Sequence, residues 1–177
     1  KVKTKPTMVA EQHYTRVNTE KYGGMIDSSW LDRPLSVAGR LVGKVNGEWV
    51  SRLVNVEKDL IIIPNLAIHM DREINKGKEY NAQNDLSPLF AMGNEKGEFM
   101  KVVAKAADME PEDILAYDLF TYPRISGGLL GANEELIYSP RLDDLQSAFG
   151  CMKGLVESEP ETNINICVVF DNEEIGS

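Results

Sequence analysis

Three stretches of this chain place carboxylates or a histidine where they could do chemistry. The last of them, Ile164-Asn165-Ile166-Cys167-Val168-Val169-Phe170-Asp171-Asn172-Glu173-Glu174-Ile175-Gly176-Ser177, opens as a run of β-branched and aromatic residues and stops abruptly at Asp-Asn, with two glutamates behind it. The pattern predicts a buried strand over 164–170 that delivers Glu173 and Glu174 at its C-terminal end, where α/β enzymes keep their reactive groups. Adjacent residues of a regular strand point to opposite faces, so the two carboxylates converge only if the backbone turns, and Gly176 permits that. Two converging carboxylates suit a metal site, one as oxygen donor to a divalent ion and one as base toward a bound water. The competing reading is a polar exit from a strand.

The second stretch is Ser139-Pro140-Arg141-Leu142-Asp143-Asp144-Leu145. Apolar residues at Leu145, Ala148, Phe149, Met152 and Leu155 predict a helix over 143–157 with one buried face, which puts Asp143 and Asp144 in or just before its first turn. On position alone, Asp143 reads as an acid that favours the helix dipole by ~0.3–1 kcal/mol. The third stretch holds His69 and, two residues on, Asp71, a spacing that could pair a metal-binding imidazole with an orienting carboxylate. A histidine with a satisfied hydrogen bond is the commoner case. His13 stands in a polar segment and reads as a surface residue.

The elements that must position these groups change character along the chain. Residues 1 to about 63 read as mostly β. Asn46-Gly47, set between Val37–Val45 and Glu48–Val56, is the pair preferred by a type I′ hairpin. Tyr22-Gly23-Gly24 and Asp32-Arg33-Pro34 read as turns, and Leu60–Ile63 as a short apolar strand closed by Pro64. Residues 76–85 read as a loop. Glu98–Ala107 has the spacing of a helix burying Phe99, Val102, Val103, Ala106 and Ala107, Pro111-Glu112-Asp113 resembles the first turn of a short helix or a turn, and 114–122 returns to strand. Gly127-Gly128-Leu129-Leu130-Gly131 lacks the Lys-Ser/Thr of a nucleotide loop and reads as a turn. Helix 143–157, a polar loop and strand 164–170 together form an α-loop-β unit.

Composition narrows the partners. The 177 residues carry a net charge of −9, with 28 acidic against 19 basic side chains. That balance argues against nucleic acid or an anionic membrane, both of which reward basic surfaces. No apolar run reaches the ~18 residues of a membrane span and no signal peptide is evident, so a cytoplasmic protein is expected. Cys151 and Cys167 read as reduced small hydrophobes.

Taken together, Ser139–Leu145 and Phe170–Ser177 resemble the M18 family of metallo-aminopeptidases, the aspartyl aminopeptidase group. The likeness extends through Tyr22-Gly23-Gly24, Trp30–Arg40 and Ile63–His69, in the family's order. It implies an α/β catalytic domain with two bridged zinc ions, interrupted by a β-rich inserted domain that forms homodimers and larger assemblies. Residues 1–136 then correspond to the β-rich oligomerisation domain and 137–177 to the start of the catalytic segment. By motif, Asp143 looks like the bridging metal carboxylate, Glu173 like the general base and Glu174 like a ligand of one zinc. His69 looks like the histidine that crosses the dimer to bind substrate in the neighbouring site, with direct zinc ligation as its alternative. The implied reaction removes the N-terminal residue of a peptide substrate, an acidic one being a candidate. The family's His-x-Asp motif should lie upstream of Lys1, and its last metal Asp and His well beyond Ser177. The chain is therefore expected to hold only part of a metal site and to be inactive by itself. The other readings are a non-catalytic oligomerisation module and a different metallopeptidase of the same clan.

Overall fold

The computed structural model describes residues 2–11 and 13–170. It divides into two compact units, one up to Arg124 and one from Ile125.

The first unit is built on one antiparallel sheet. Its strands are β1 (Val2–Ala10), β2 (Tyr14–Lys21), β3 (Leu35–Val45), β4 (Glu48–Asn55), β5 (Leu89–Met92) and β6 (Ile114–Pro123), in the spatial order β4-β3-β6-β1-β2-β5. The predicted hairpin is present: β3 pairs with β4 from Ala38↔Asn55 to Val45↔Glu48. Asn46 and Gly47 both have positive φ, 52° and 85°, as a type I′ turn requires. Strand β6 lies along β3 from Leu35↔Pro123 to Gly43↔Ile114. The close approach leaves no room for a side chain at Gly39 or Gly43, where a Cβ would fall about 2.0 and 1.9 Å from the carbonyl oxygens of Asp118 and Asp113.

Leu60–Ile63 forms no continuous strand. It makes two single bridges, Leu35↔Ile61 and Ile62↔Leu89, which tie β3 to the far edge strand β5 and bend the sheet back on itself. Four residues that leave one strand and reach another cannot run along either for long. Inside the curl, Leu35, Val37, Leu41, Ile63 and Leu119 are fully buried. Helix α2 (Glu98–Ala106) occupies the gap between the edges: Phe99 meets Phe90 of β5 edge-on at 5.5 Å, and Arg52 of β4 donates to the Ala107 carbonyl at 2.8 Å. A cation at that end also favours the helix dipole. Its buried face is Phe99, Val103 and Ala104, with Ala107 just beyond; Ala106, expected inside, is exposed. Residues 76–85 are not all loop, because Asn81 accepts from the amides of Gln83 and Asn84 and so starts a four-residue helix, α1 (Ala82–Asp85).

The second unit contains a two-stranded ribbon, β7 (Gly128–Leu130) with β8 (Leu136–Tyr138), and helix α3 (Leu142–Val156). The glycine-rich stretch therefore contains a strand and not only a turn: Gly128 sits beside Tyr138, whose ring leaves no room for a Cβ. The unit begins at Ile125 and includes the ribbon, in which β7 and β8 pair with each other. Two further expectations fail. Residues 164–170 form no strand, and the apolar face of α3 is not buried: Leu145 is 59%, Phe149 68% and Met152 47% exposed. Both have one physical cause, since a strand needs a partner for its amides and a helix face needs a surface to cover it, and the described residues of this unit supply neither.

Candidate functional site

The acidic pair sits on an irregular step within the first residues of α3. Arg141 is left-handed (φ 66°, ψ 24°), and Asp143 (φ −85°, ψ 113°) and Asp144 (φ −118°, ψ 21°) have non-helical backbones joined by a cis peptide bond. The regular turns start after them, as the spacing predicts. Both aspartates are exposed, so their oxygens are open to a ligand.

His69 lies in the first unit, on the chain that leaves the core at Ile63. Every residue from Pro64 to Met70 is exposed, including Leu66 (49%), Ile68 (45%) and Met70 (77%), so the imidazole stands on an apolar projection. The reading of His69 as a histidine with an internal hydrogen bond finds no support there. Asp71 does not orient it. One carboxylate oxygen of Asp71 accepts from the Glu73 amide at 3.2 Å, and the other faces Lys78 Nζ at 3.7 Å. Lys78 in turn lies over the Tyr80 ring at 5.5 Å. These contacts brace the descending side of the loop.

The root of the projection is held by a residue that, in the sequence, marks only a turn. Asp32, with φ 55°, donates its amide to the Ile63 carbonyl at 2.9 Å and accepts from the Asn65 amide on Oδ1 at 2.8 Å. A side chain 33 residues away in sequence cannot be matched to that amide without the fold. The remaining candidates, Glu173 and Glu174, lie outside the described residues. His69 and Asp143 belong to different units.

Among the described residues no group of three or more His, Cys, Asp or Glu side chains could hold a metal ion. Asp143 and Asp144 alone fall short of the several protein ligands a zinc ion requires. Cys151 and Cys167 are free thiols, the first of them exposed, and neither stands in such a group.

Comparison with known proteins decides the family. The model of the aminopeptidase I zinc metalloproteases (M18) matches residues 1–177. The chain belongs to the M18 family. Among M18 proteins, it is 43% identical over 185 residues to the probable M18 family aminopeptidase 2 of Clostridium novyi, covering 100% of this chain and 42% of that relative. It thus spans less than half the length of the M18 relatives it matches. Among solved structures, it superposes on a chain of the Ape4 and Nbr1 complex with TM-score 0.80 at 29% identity, covering 88% of this chain and 34% of that one. The S. cerevisiae mApe1 dodecamer gives TM-score 0.70 at 26% identity, covering 88% and 36%. The mixed α/β fold with its antiparallel sheet is therefore that of M18 aminopeptidases.

Proposed function

We propose that this chain is the β-rich oligomerisation domain and first catalytic segment of a zinc-dependent aminopeptidase that hydrolyses the N-terminal residue from peptides. The observation that carries the reading is the whole-chain match to the M18 family over a chain that spans 42% of a relative's length. Residues 1–136 serve self-association, a role supported by the likeness to a dodecameric neighbour. Residues 137–177 contribute Asp143 and Glu174 as zinc carboxylates. Because the chain spans 42% of a relative's length, this reading assigns the other zinc ligands to the rest of a longer parent, and no activity is expected of the isolated chain. The parent's peptide substrates include an acidic N-terminal residue as one candidate.

In this reading Glu173 holds and moves the proton of the reaction, a role worth roughly 10²–10⁴-fold in rate. His69 serves a neighbouring subunit. Its loop is exposed from Pro64 to Met70, and the apolar residues on either side of the imidazole would gain by burial against another molecule. Neutral imidazole can donate a hydrogen bond to the substrate carbonyl, and a donor aimed at a developing oxyanion is worth roughly 3 kcal/mol. The unit that carries His69 has its own core and its own sheet, which suits a part that is contributed to another protomer's site.

The test mixes full-length His69→Ala with full-length Glu173→Gln, each retaining only a small residual turnover alone, under conditions that exchange subunits. Recovered peptide hydrolysis is expected, because one site of the mixed dimer regains both groups. Absence of recovery after demonstrated exchange would return His69 to its own protomer.

A further inference from the structure

We propose that Asp32 is the positioning residue for His69: its carboxylate and amide grip the root of the loop and set the direction in which the imidazole is presented. The inference rests on the reading of His69 as a substrate-binding group.

Asp71, held by the Glu73 amide and Lys78, braces the descending side of the loop, and on the ascending side there is little besides Asp32 to orient it. Ile63 is fully buried, but from Pro64 to Met70 the chain has no buried side chain. Among the described residues the other hydrogen bonds of this segment are internal. The Leu66 amide donates to Asn65 Oδ1 at 2.9 Å, and the Met70 and Asp71 amides donate to the Ala67 carbonyl at 2.8 and 3.3 Å. They shape the tip without aiming it. Asp32 contacts the chain on both sides of Pro64, at the Ile63 carbonyl and the Asn65 amide. Proline has a nearly fixed φ and no amide hydrogen, so a grip on its two neighbours leaves the root almost no freedom. His69 stands four residues farther out, where a small rotation at the root becomes a large displacement.

The left-handed backbone at Asp32 makes the double grip possible, since it turns the amide and the side chain toward the same strand of chain. Asparagine and aspartate tolerate that conformation better than most residues, and glycine adopts it without strain. Two substitutions therefore separate the carboxylate from the backbone. Asp32→Gly keeps the φ and deletes the acceptor, whereas Asp32→Asn keeps both the φ and a carbonyl oxygen at the acceptor position.

The experiment uses the full-length parent enzyme. Asp32→Gly is expected to lower kcat by about tenfold, the effect of losing one hydrogen bond to a charged acceptor where it sets a catalytic geometry. Asp32→Asn should restore kcat to within about twofold, which a role for the charge itself would not allow. Amide exchange at Asn65 should quicken in the glycine variant and stay slow in the asparagine variant. In a His69→Ala background, Asp32→Gly should cost nothing further, because a residue acting through His69 has nothing left to position. An equal loss in both backgrounds, or full activity of Asp32→Gly beside a damaged His69→Ala, would overturn the positioning role alone. If His69→Ala were itself fully active while Asn65 exchange quickened as expected, the contact would stand, but the His69 reading and the positioning role would both fall.

Discussion

The two amphipathic helices of this chain were built to similar rules and ended differently. Helix α2 places Phe99, Val103 and Ala104 in the interior, while α3, with Leu145, Phe149 and Met152 along one helical stripe, leaves all three exposed. The contrast extends to the units around them. Up to Arg124 there is a curled sheet with a continuous core; from Ile125 on, none of the described residues is buried. Charge follows the same division. The first unit has 17 basic against 18 acidic residues, and the second has 2 against 10, so nearly all of the net charge of −9 belongs to the smaller unit. Apolar periodicity declares which face a helix will bury, but burial itself requires a covering surface. The described residues of the second unit leave an apolar helix face exposed, whereas the first unit carries its own hydrophobic core.

The largest effects should separate the roles assigned to the second unit. In the full-length parent, Glu173→Gln is expected to cut turnover by roughly 10²–10⁴-fold or more while zinc content stays unchanged, because proton transfer is lost and ligation is not. Asp143→Ala should lose both, since a bridging carboxylate holds two ions at once. Elemental analysis beside peptide hydrolysis reads the difference; unchanged zinc in the alanine variant would remove Asp143 from the metal site.

Next comes the core comparison itself. Leu41, fully buried on β3, should cost about 2–5 kcal/mol when changed to alanine in the isolated chain, measured by denaturant unfolding. Leu145→Ala should cost less than about 0.5 kcal/mol in the same chain. In the full-length parent the Leu145 change should become a core substitution of several kcal/mol. Equal small costs in both forms would mean that the α3 face has no cover in the parent.

The smallest effect belongs to the surface of the first unit. Lys3 Nζ meets Asp118 at 2.7 Å, and that hydrogen bond raises the lysine pKa, against a smaller opposing effect of burial. A folded pKa above the unfolded one means the contribution is fully present below the unfolded lysine pKa and is lost as pH rises through the folded value. Both side chains are more than a third exposed, so Lys3→Met should cost no more than about 0.5 kcal/mol near neutral pH and still less in high salt. Thermal melts at neutral and strongly alkaline pH check the sign.

Much of the first unit was legible from local rules. Asn46-Gly47 determined a type I′ turn, and with it the register of β3 on β4, because only a few residues accept positive φ at both central positions. The spacing over Glu98–Ala107 determined a helix and most of its buried face, and Pro111 a turn just before β6. The position of Asp143 and Asp144 at the start of a helix was likewise readable, as was the family, from long motifs whose order the chain preserves. Tertiary structure decided what depends on residues distant in sequence. Leu60–Ile63 became two bridges because it had to reach both β3 and β5; Gly128–Leu130 became a strand because 136–138 lay ready to pair with it. Residues 164–170 and the face of α3 stayed uncovered, since hydrogen-bond partners and covering surface are properties of neighbours. The grip of Asp32 on Asn65 belongs to the same class: a turn-forming residue is visible locally, but the amide it captures is chosen by the fold.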